Sequence, residues 1–314
     1  MADTGKDIKK AKQLLEAGQV IAIPTETVYG LAGNALDAHA VAEIFRVKNR
    51  PSFDPLIVHV PSFHVVDRYT EEVPSAALQL ADAFWPGPLT LLLRRKPIIP
   101  DLVTAGLPTV GLRCPDHPLT RELLASLDFP LAAPSANPFG YISPTRPEHV
   151  AQQLGDKIPY ILDGGPCSVG IESTIIGFVN GQATVMRAGG LKIEDIEAVI
   201  GRVDVRDVST SNPQAPGQLQ SHYAPRKTLI VGEITRLMKE HASRTIGTLT
   251  FSRATDAPIG VVLSPEGNLE EAARNLFAAL RTLDSSEAEI LLAEFVPDTG
   301  LGRAINDRLR RASR

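Results

Sequence analysis

Short apolar runs alternate with stretches of helical periodicity along the whole chain, and this alternation constrains the fold more than any other feature. Ile8, Ala11, Leu14 and Leu15 share a helical face, and Gly18 can end that helix. QVIAIPT (19–25) then reads as a buried strand, Val41, Ile44 and Phe45 mark a second helix, and LIVHV (56–60) is another strand. A helix through 76–84 stops at WPGP, after which PLTLLLR (88–94), TVGLRC (109–114), PLAAPS (130–135) and YILDGG (160–165) read as extended. STIIGFV and ATVMRAG flank Asn180-Gly181, a hairpin signal with the loop extended by one residue. A hairpin among such units predicts a mixed sheet, closed by the helix KIEDIEAVIG (192–201).

Residues 204–226 break this rhythm. STSNPQAPGQLQSHYAP is rich in Ser, Pro, Gln and Gly, and reads as a linker. Alternation resumes with TLIVG (228–232), a helix to His241, TIGTLTF (245–251), IGVVL (259–263), a helix across 269–283, EILLAEFV (289–296) and a final helix after Gly302. That pattern predicts a small, doubly wound α/β domain. A length of 314 residues fits two domains, divided as 1–203, a linker at 204–226, and 227–314.

Composition narrows the class. With 43% apolar and 22% charged residues the chain can bury a sizeable core. Apolar runs such as 89–93 fall far below the ~20 residues of a membrane helix. Residues 1–13 are polar and Lys-rich, without the apolar segment of a secretory signal. Two cysteines, Cys114 and Cys167, cannot build a disulfide framework, and the expectation is a cytoplasmic protein with no membrane contact. Residues 1–205 hold 18 Lys+Arg against 23 Asp+Glu, and residues 226–314 hold 13 against 12. Neither part is the basic body of a dedicated nucleic-acid binder, so an anionic ligand needs a local cluster of cations.

Standard nucleotide and hydrolase motifs are missing, and neither cysteine has a partner at metal spacing. No metal site built from protein side chains is expected. What remains is a set of polar, Gly/Pro-framed segments at the ends of apolar runs, where α/β proteins place ligands. They are PTETVYGLAGNA (24–35), KNRPSFDPLIVH (48–59), TVGLRCP (109–115), APSANPFGYISPT (133–145), DGGPCSVGIEST (163–174) and VMRAGG (185–190). Taken singly, most have a bland reading: Thr25 and Thr27 as turn formers, Lys48 or Arg50 as a solvated charge, His59 as a core residue. Arg113 and Arg187 resist it, because each sits in an apolar run where a guanidinium needs an anionic partner.

Together these segments resemble the threonylcarbamoyl-AMP synthase family, the YrdC-like proteins, over nearly the whole chain. The resemblance rests on PTETVYGL, the K-x-R-P…PLIVH block, Ser135 and Asn137, GGP-C-x-x-G-x-EST and the following R-A-G, in the family's order and spacing. APGQLQSHYAP (215–225) and GLGRAINDRLRRAS (300–313) are similar to the linker and chain end of the long, two-domain form. One departure is Asp54, where the family usually has Asn; a carboxylate there repels triphosphate unless it points away or reaches ATP through a metal.

The resemblance implies a YrdC-like catalytic domain, a twisted mixed sheet with helices and a large cationic cavity, followed by a smaller Rossmann-like α/β domain. It implies that L-threonine and bicarbonate form a carbamate, which attacks the α-phosphate of ATP and releases pyrophosphate. Threonine would be held by Thr27, His59, Arg113, Ala133 and Ser173. ATP would be held by Arg50, Asp54, Thr109, Ser135, Ser143, Arg187 and Tyr223, with Mg²⁺ travelling on the triphosphate. Lys48, Arg50, Ser135 and Asn137 would form the catalytic group, through positioning and charge rather than a general base. The product would pass to a tRNA threonylcarbamoyl transferase complex; a weak contact with tRNA and a monomeric state are further expectations. The linker, whose large anchors from Ser209 onward are Leu219 and Tyr223, reads as a marginally docked lid over the nucleotide.

Two other readings compete. Carbamoyl transfer through a carbamoyl-adenylate uses a YrdC-like domain in hydrogenase-maturation proteins, but those chains carry C-x-x-C pairs and an acylphosphatase segment, which are missing here. An RNA-binding factor is opposed by the negative N-terminal part and by aromatics at only 5% of the chain.

Overall fold

The computed structural model describes residues 1–206, 216 and 223–313. Most of the segment read as a linker, with Ser209 and Leu219, lies outside the described residues. Among the described residues the first sheet takes β1 (Asp3–Gly5), β2 (Ile21–Ile23), β3 (Gly30–Asn34), β4 (Ile57–His59), β5 (Leu89–Arg94), β6 (Thr109–Arg113), β7 (Leu131–Ala132), β8 (Tyr160–Leu162), β9 (Thr174–Val179), β10 (Gln182–Arg187) and β11 (Asp204–Val205). Their spatial order is β1-β8-β2-β3-β7-β4-β6-β5-β9-β10-β11. Parallel pairs such as β4–β6 and β5–β9 alternate with antiparallel ones such as β2–β3 and β5–β6, so the sheet is mixed. Its last strand lies two residues inside the segment read as linker, because β11 adds in parallel to β10.

Local sequence explains several elements and one misreading. Val179 pairs directly with Gln182, so the hairpin loop is Asn180-Gly181 alone, without the extra residue expected. Asn180 and Gly181 take φ of 50° and 80°, the left-handed pair that lets a two-residue turn follow the twist of its strands. PLAAPS contributes only Leu131 and Ala132 as strand, since the prolines that frame it cannot donate to a ladder. GLAGN, read as part of a ligand segment, is β3. Glycine hides the strand pattern there, and a Cβ on Gly33 would press within 3.1 Å of Val20 and 3.3 Å of Ile44. Two helices that the periodicity did not mark, Pro118–Ser126 and Pro147–Leu154, each open with proline in the first turn.

The second sheet is β12 (Leu229–Val231), β13 (Ile246–Thr250), β14 (Ile259–Val262) and β15 (Ile290–Ala293), all parallel, in the order β12-β15-β13-β14. Period-two alternation splits its faces. Leu249, Leu291 and Ala293 pack under the helices Leu269–Asp284 and Gly302–Ala312, while Ile246, Ile290 and Leu292 pack under Ile234–Glu240. Helices on both faces make this the small doubly wound unit expected. Its larger core does not stop at the domain edge: Val28, Ile142, Ile171 and Tyr223 join Leu276, Phe277, Leu280, Ile305 and Leu309 in one cluster. No helix among the described residues is long and apolar enough to cross a membrane.

Candidate active site

The site begins with register. β4 and β6 run parallel with His59 beside Arg113, so both side chains arrive at the carboxyl ends of neighbouring strands. β10 ends in Arg187, and a bulge between Val185 and Arg187 shifts its pairing to Ile175, two residues beyond the Ser173 that precedes β9. Thr27, Arg50, His59, Arg113, Ala133, Ser135, Ser173, Arg187 and Tyr223, nine of the anticipated residues, line one cavity. Glu172 and Pro216 also stand in its wall.

Three guanidinium groups converge there, in different states. Arg50 is ion-paired to Asp54 at 2.9 Å and donates to the Pro55 carbonyl at 2.8 Å. Arg113 is ion-paired to Glu26 at 2.7 Å. Arg187 has no carboxylate in salt-bridge range among the described residues; it donates to the Ser173 carbonyl at 2.9 and 3.2 Å, the Ser173 hydroxyl at 3.3 Å and the Pro216 carbonyl at 3.0 Å. Burial lowers the Arg187 pKa, because the charged form is held out of water. A buried cation satisfied only by neutral oxygens is the strongest anion-attracting element of the cavity.

Neutral polar groups complete the wall. The Thr27 hydroxyl lies 2.8 Å from that of Thr25, and Ser173 Oγ 2.8 Å from Thr90 Oγ1. Burial, then the charge of Arg113, pushes His59 down to about 3, so its imidazole is neutral at physiological pH. His59 Nδ1 has no hydrogen-bond partner among the described residues, although it is buried on the cavity wall.

The other anticipated residues stand behind this wall. Lys48 is buried and donates to the carbonyls of Ser135 and Asn137, the latter at 2.6 Å; burial, then Arg50, depresses its pKa well below the usual lysine value. Asn137 donates to the Tyr141 carbonyl at 2.7 Å, tying the same loop. Ser143 donates to Glu172 at 2.6 Å. Thr109 starts β6 and shares a face with Arg113, about 13 Å along the strand, away from the cavity lining. Asp54 is the departure from the family pattern; burial raises its pKa while Arg50 and Lys48 pull the other way, and its carboxylate sits against Arg50.

Sequence reasoning missed four participants. Glu26 sits inside PTETVYGL and Glu172 inside GIEST, so both had been absorbed into motifs. Arg281 and Arg308 lie in the C-terminal part. Arg281 donates to the carbonyls of Ile142 and Ser143, and Arg308 donates to Glu172 at 3.0 Å. A partial signal existed: Phe277 and Ala278 precede Arg281 on its helical face, as Ala304 and Ile305 precede Arg308.

A mixed-sheet α/β domain with a buried, arginine-lined cavity, closed by a second α/β unit, defines a protein of the class that holds small anionic ligands out of water. A family model described as telomere recombination matches residues 13–189, and one described as threonylcarbamoyl-AMP synthase, C-terminal domain, matches 191–314. The chain belongs to the threonylcarbamoyl-AMP synthase family in its two-domain form. It is 40% identical to the threonylcarbamoyl-AMP synthase of Pyrococcus abyssi (98% of this chain, 94% of that one) and 41% identical to that of Bacillus subtilis (98% and 92%). The crystal structure of P. abyssi Sua5 complexed with L-threonine superposes with a TM-score of 0.93 at 39% identity, covering 100% of this chain and 97% of that one.

Proposed function

We propose that the chain joins L-threonine, bicarbonate and the AMP part of ATP into threonylcarbamoyl-AMP, for the threonylcarbamoyladenosine modification of tRNA. It is a threonylcarbamoyl-AMP synthase, a nucleotidyltransferase, like the relatives it matches end to end. The observation that carries the reading is the convergence of Arg50, Arg113 and Arg187 on one buried cavity beside a neutral His59. Such a cavity suits a substrate pair that brings a carboxylate and a triphosphate together.

Arg113, with Thr27, His59 and Ser173 around it, takes the threonine carboxylate and amine; the unpartnered Nδ1 of His59 is a ready hydrogen-bonding atom for that end. Arg187 and Arg50 take phosphate oxygens. The amine attacks bicarbonate and water departs, leaving a carbamate. A carbamate oxygen then bonds to the α-phosphorus as the bond to the β-phosphate oxygen breaks, and pyrophosphate leaves with that electron pair. The arginines supply the charge stabilisation, which is the main protein contribution in phosphoryl-type transfer. Mg²⁺ enters as part of the ATP substrate, and the product passes to a tRNA threonylcarbamoyl transferase.

Mass spectrometry of products from ATP, threonine and labelled bicarbonate tests this. Label in threonylcarbamoyl-AMP together with threonine-dependent pyrophosphate is expected. Pyrophosphate release that depends on carbamoyl phosphate instead would replace the reading with carbamoyl transfer.

A further inference from the structure

We infer that Arg308, in the C-terminal helix Gly302–Ala312, is a positioning residue for the nucleotide half of the site: it neutralises the cavity carboxylate Glu172 and fixes the ring of Tyr223. This rests on the nucleotide-binding reading above and assigns the second domain a part in it.

Arg308 is completely buried, which is costly for a guanidinium unless its donors are used. Its Nε donates to Glu172 Oε2 at 3.0 Å, and its Nη1 to the Ala188 carbonyl at 2.7 Å, directly after Arg187, and to Asp307 Oδ2 at 3.1 Å, a carboxylate that Arg311 also holds at 2.9 Å. Its planar group also lies over the Tyr223 ring at 5.4 Å, and that ring stacks on Phe277 of the second domain at 5.5 Å. The other oxygen of Glu172 accepts from Ser143 at 2.6 Å. Arg308 thus reaches three parts of the cavity at once: the strand end that carries Arg187, the loop that carries Ser143, and Tyr223.

Charge supplies the reason. Glu172 is the carboxylate in the cavity wall itself, facing the space where Arg187 has only neutral oxygens for company. Left unpaired in a buried site, it would repel a triphosphate and cancel part of the Arg187 charge. Neutralisation from the first domain would need another cation inside a cavity already holding three. The second domain supplies it from behind. Lysine could offset the charge, but it has no planar fork to span Glu172 and Ala188 while lying flat on Tyr223.

The test is a charge-balanced pair of substitutions in the full chain, with Mg-ATP and L-threonine titrated separately by calorimetry. Arg308→Met, which keeps the bulk, should weaken ATP binding about tenfold or more while threonine binding stays within about twofold. Glu172→Gln together with Arg308→Met should recover most of the ATP affinity, because the cavity carboxylate is gone and Asp307 keeps its pairing with Arg311. A double variant no better than Arg308→Met, or a parallel loss of threonine binding, would show that Arg308 only packs the interface and would overturn the inference. Should Arg308→Met fail to fold, Glu172→Gln alone decides: ATP affinity unchanged or raised supports the assignment, and a tenfold loss refutes it. Wild-type protein that binds neither ligand would instead remove the functional reading on which all of this stands.

Discussion

Each cavity arginine is specified by its neighbours more than by its own type. Arg113 has one edge occupied by Glu26 at 2.7 Å, so its guanidinium is already oriented by a carboxylate, and the proposed threonine contact would use the remaining edge. Arg113→Lys should therefore weaken threonine binding by about 1.5–3 kcal/mol, the range for a charged hydrogen bond, and ATP binding far less. Equal losses for both ligands in calorimetry would move Arg113 out of the threonine site. His59 offers a pH signature. Its pKa is lowered to about 3 by burial and by Arg113, whereas an unfolded histidine titrates near 6.5. Below that value the unfolded chain binds a proton that the folded one refuses, so stability is lost as pH falls from about 6.5 toward 3, by up to about 1.4 kcal/mol per unit. Replacing it, as His59→Asn, should flatten the fall in melting temperature between pH 7 and pH 4. An unchanged slope would mean the imidazole is not held neutral.

At the scale of elements, the loop from Ser135 to Thr145 is the piece most in need of support. Its Pro and Gly residues leave few backbone hydrogen bonds of its own, and two cations grip it from opposite sides. Lys48, at the end of the helix Ala38–Lys48, donates to the carbonyls of Ser135 and Asn137. Arg281, in the helix Leu269–Asp284, donates to those of Ile142 and Ser143, while Tyr141 donates to Asp284 at 2.6 Å. The resemblance made Lys48 a member of the catalytic group, yet its ammonium is buried against carbonyls. Lys48→Met should lower ligand-free stability by about 2–4 kcal/mol, read by denaturant unfolding, because several carbonyls lose their donor at once. A variant of normal stability that binds ATP poorly would instead give Lys48 a direct part in holding the nucleotide.

At the scale of the whole molecule, the two α/β units share a hydrophobic cluster and a polar seam beside the cavity. Gly170 lies in that seam at φ 82°, and a Cβ there would sit 2.4 Å from the backbone of Arg274. Gly170→Ala should cost about 1–3 kcal/mol through its backbone alone and push the second domain off its seat. Lower melting temperature with weakened ATP binding is the expected result. An unaltered ATP affinity despite the lost stability would separate domain docking from nucleotide binding. The lid expected over the nucleotide rested on loose anchoring at Leu219 and Tyr223; Tyr223 is fully enclosed, stacked on Phe277 and covered by Arg308, while Leu219 lies outside the described residues.

Alternating periodicities were enough to predict two α/β units, most of the strands and the mixed pairing around Asn180-Gly181, because those properties follow from short-range pattern and turn chemistry. The family motifs likewise placed nine cavity residues without knowledge of any distance. Two glycines in β3 and the prolines at two helix starts concealed elements whose stability comes from packing, not propensity. Partnership was the larger unknown. That Glu26 orients Arg113, that Asp54 turns onto Arg50, and that Arg308 crosses 136 positions of sequence to meet Glu172 are matters of which buried charges find each other. Sequence spacing carries no record of such meetings, because the cost of leaving a charge unpaired arises only once the folded chain has removed the water around it.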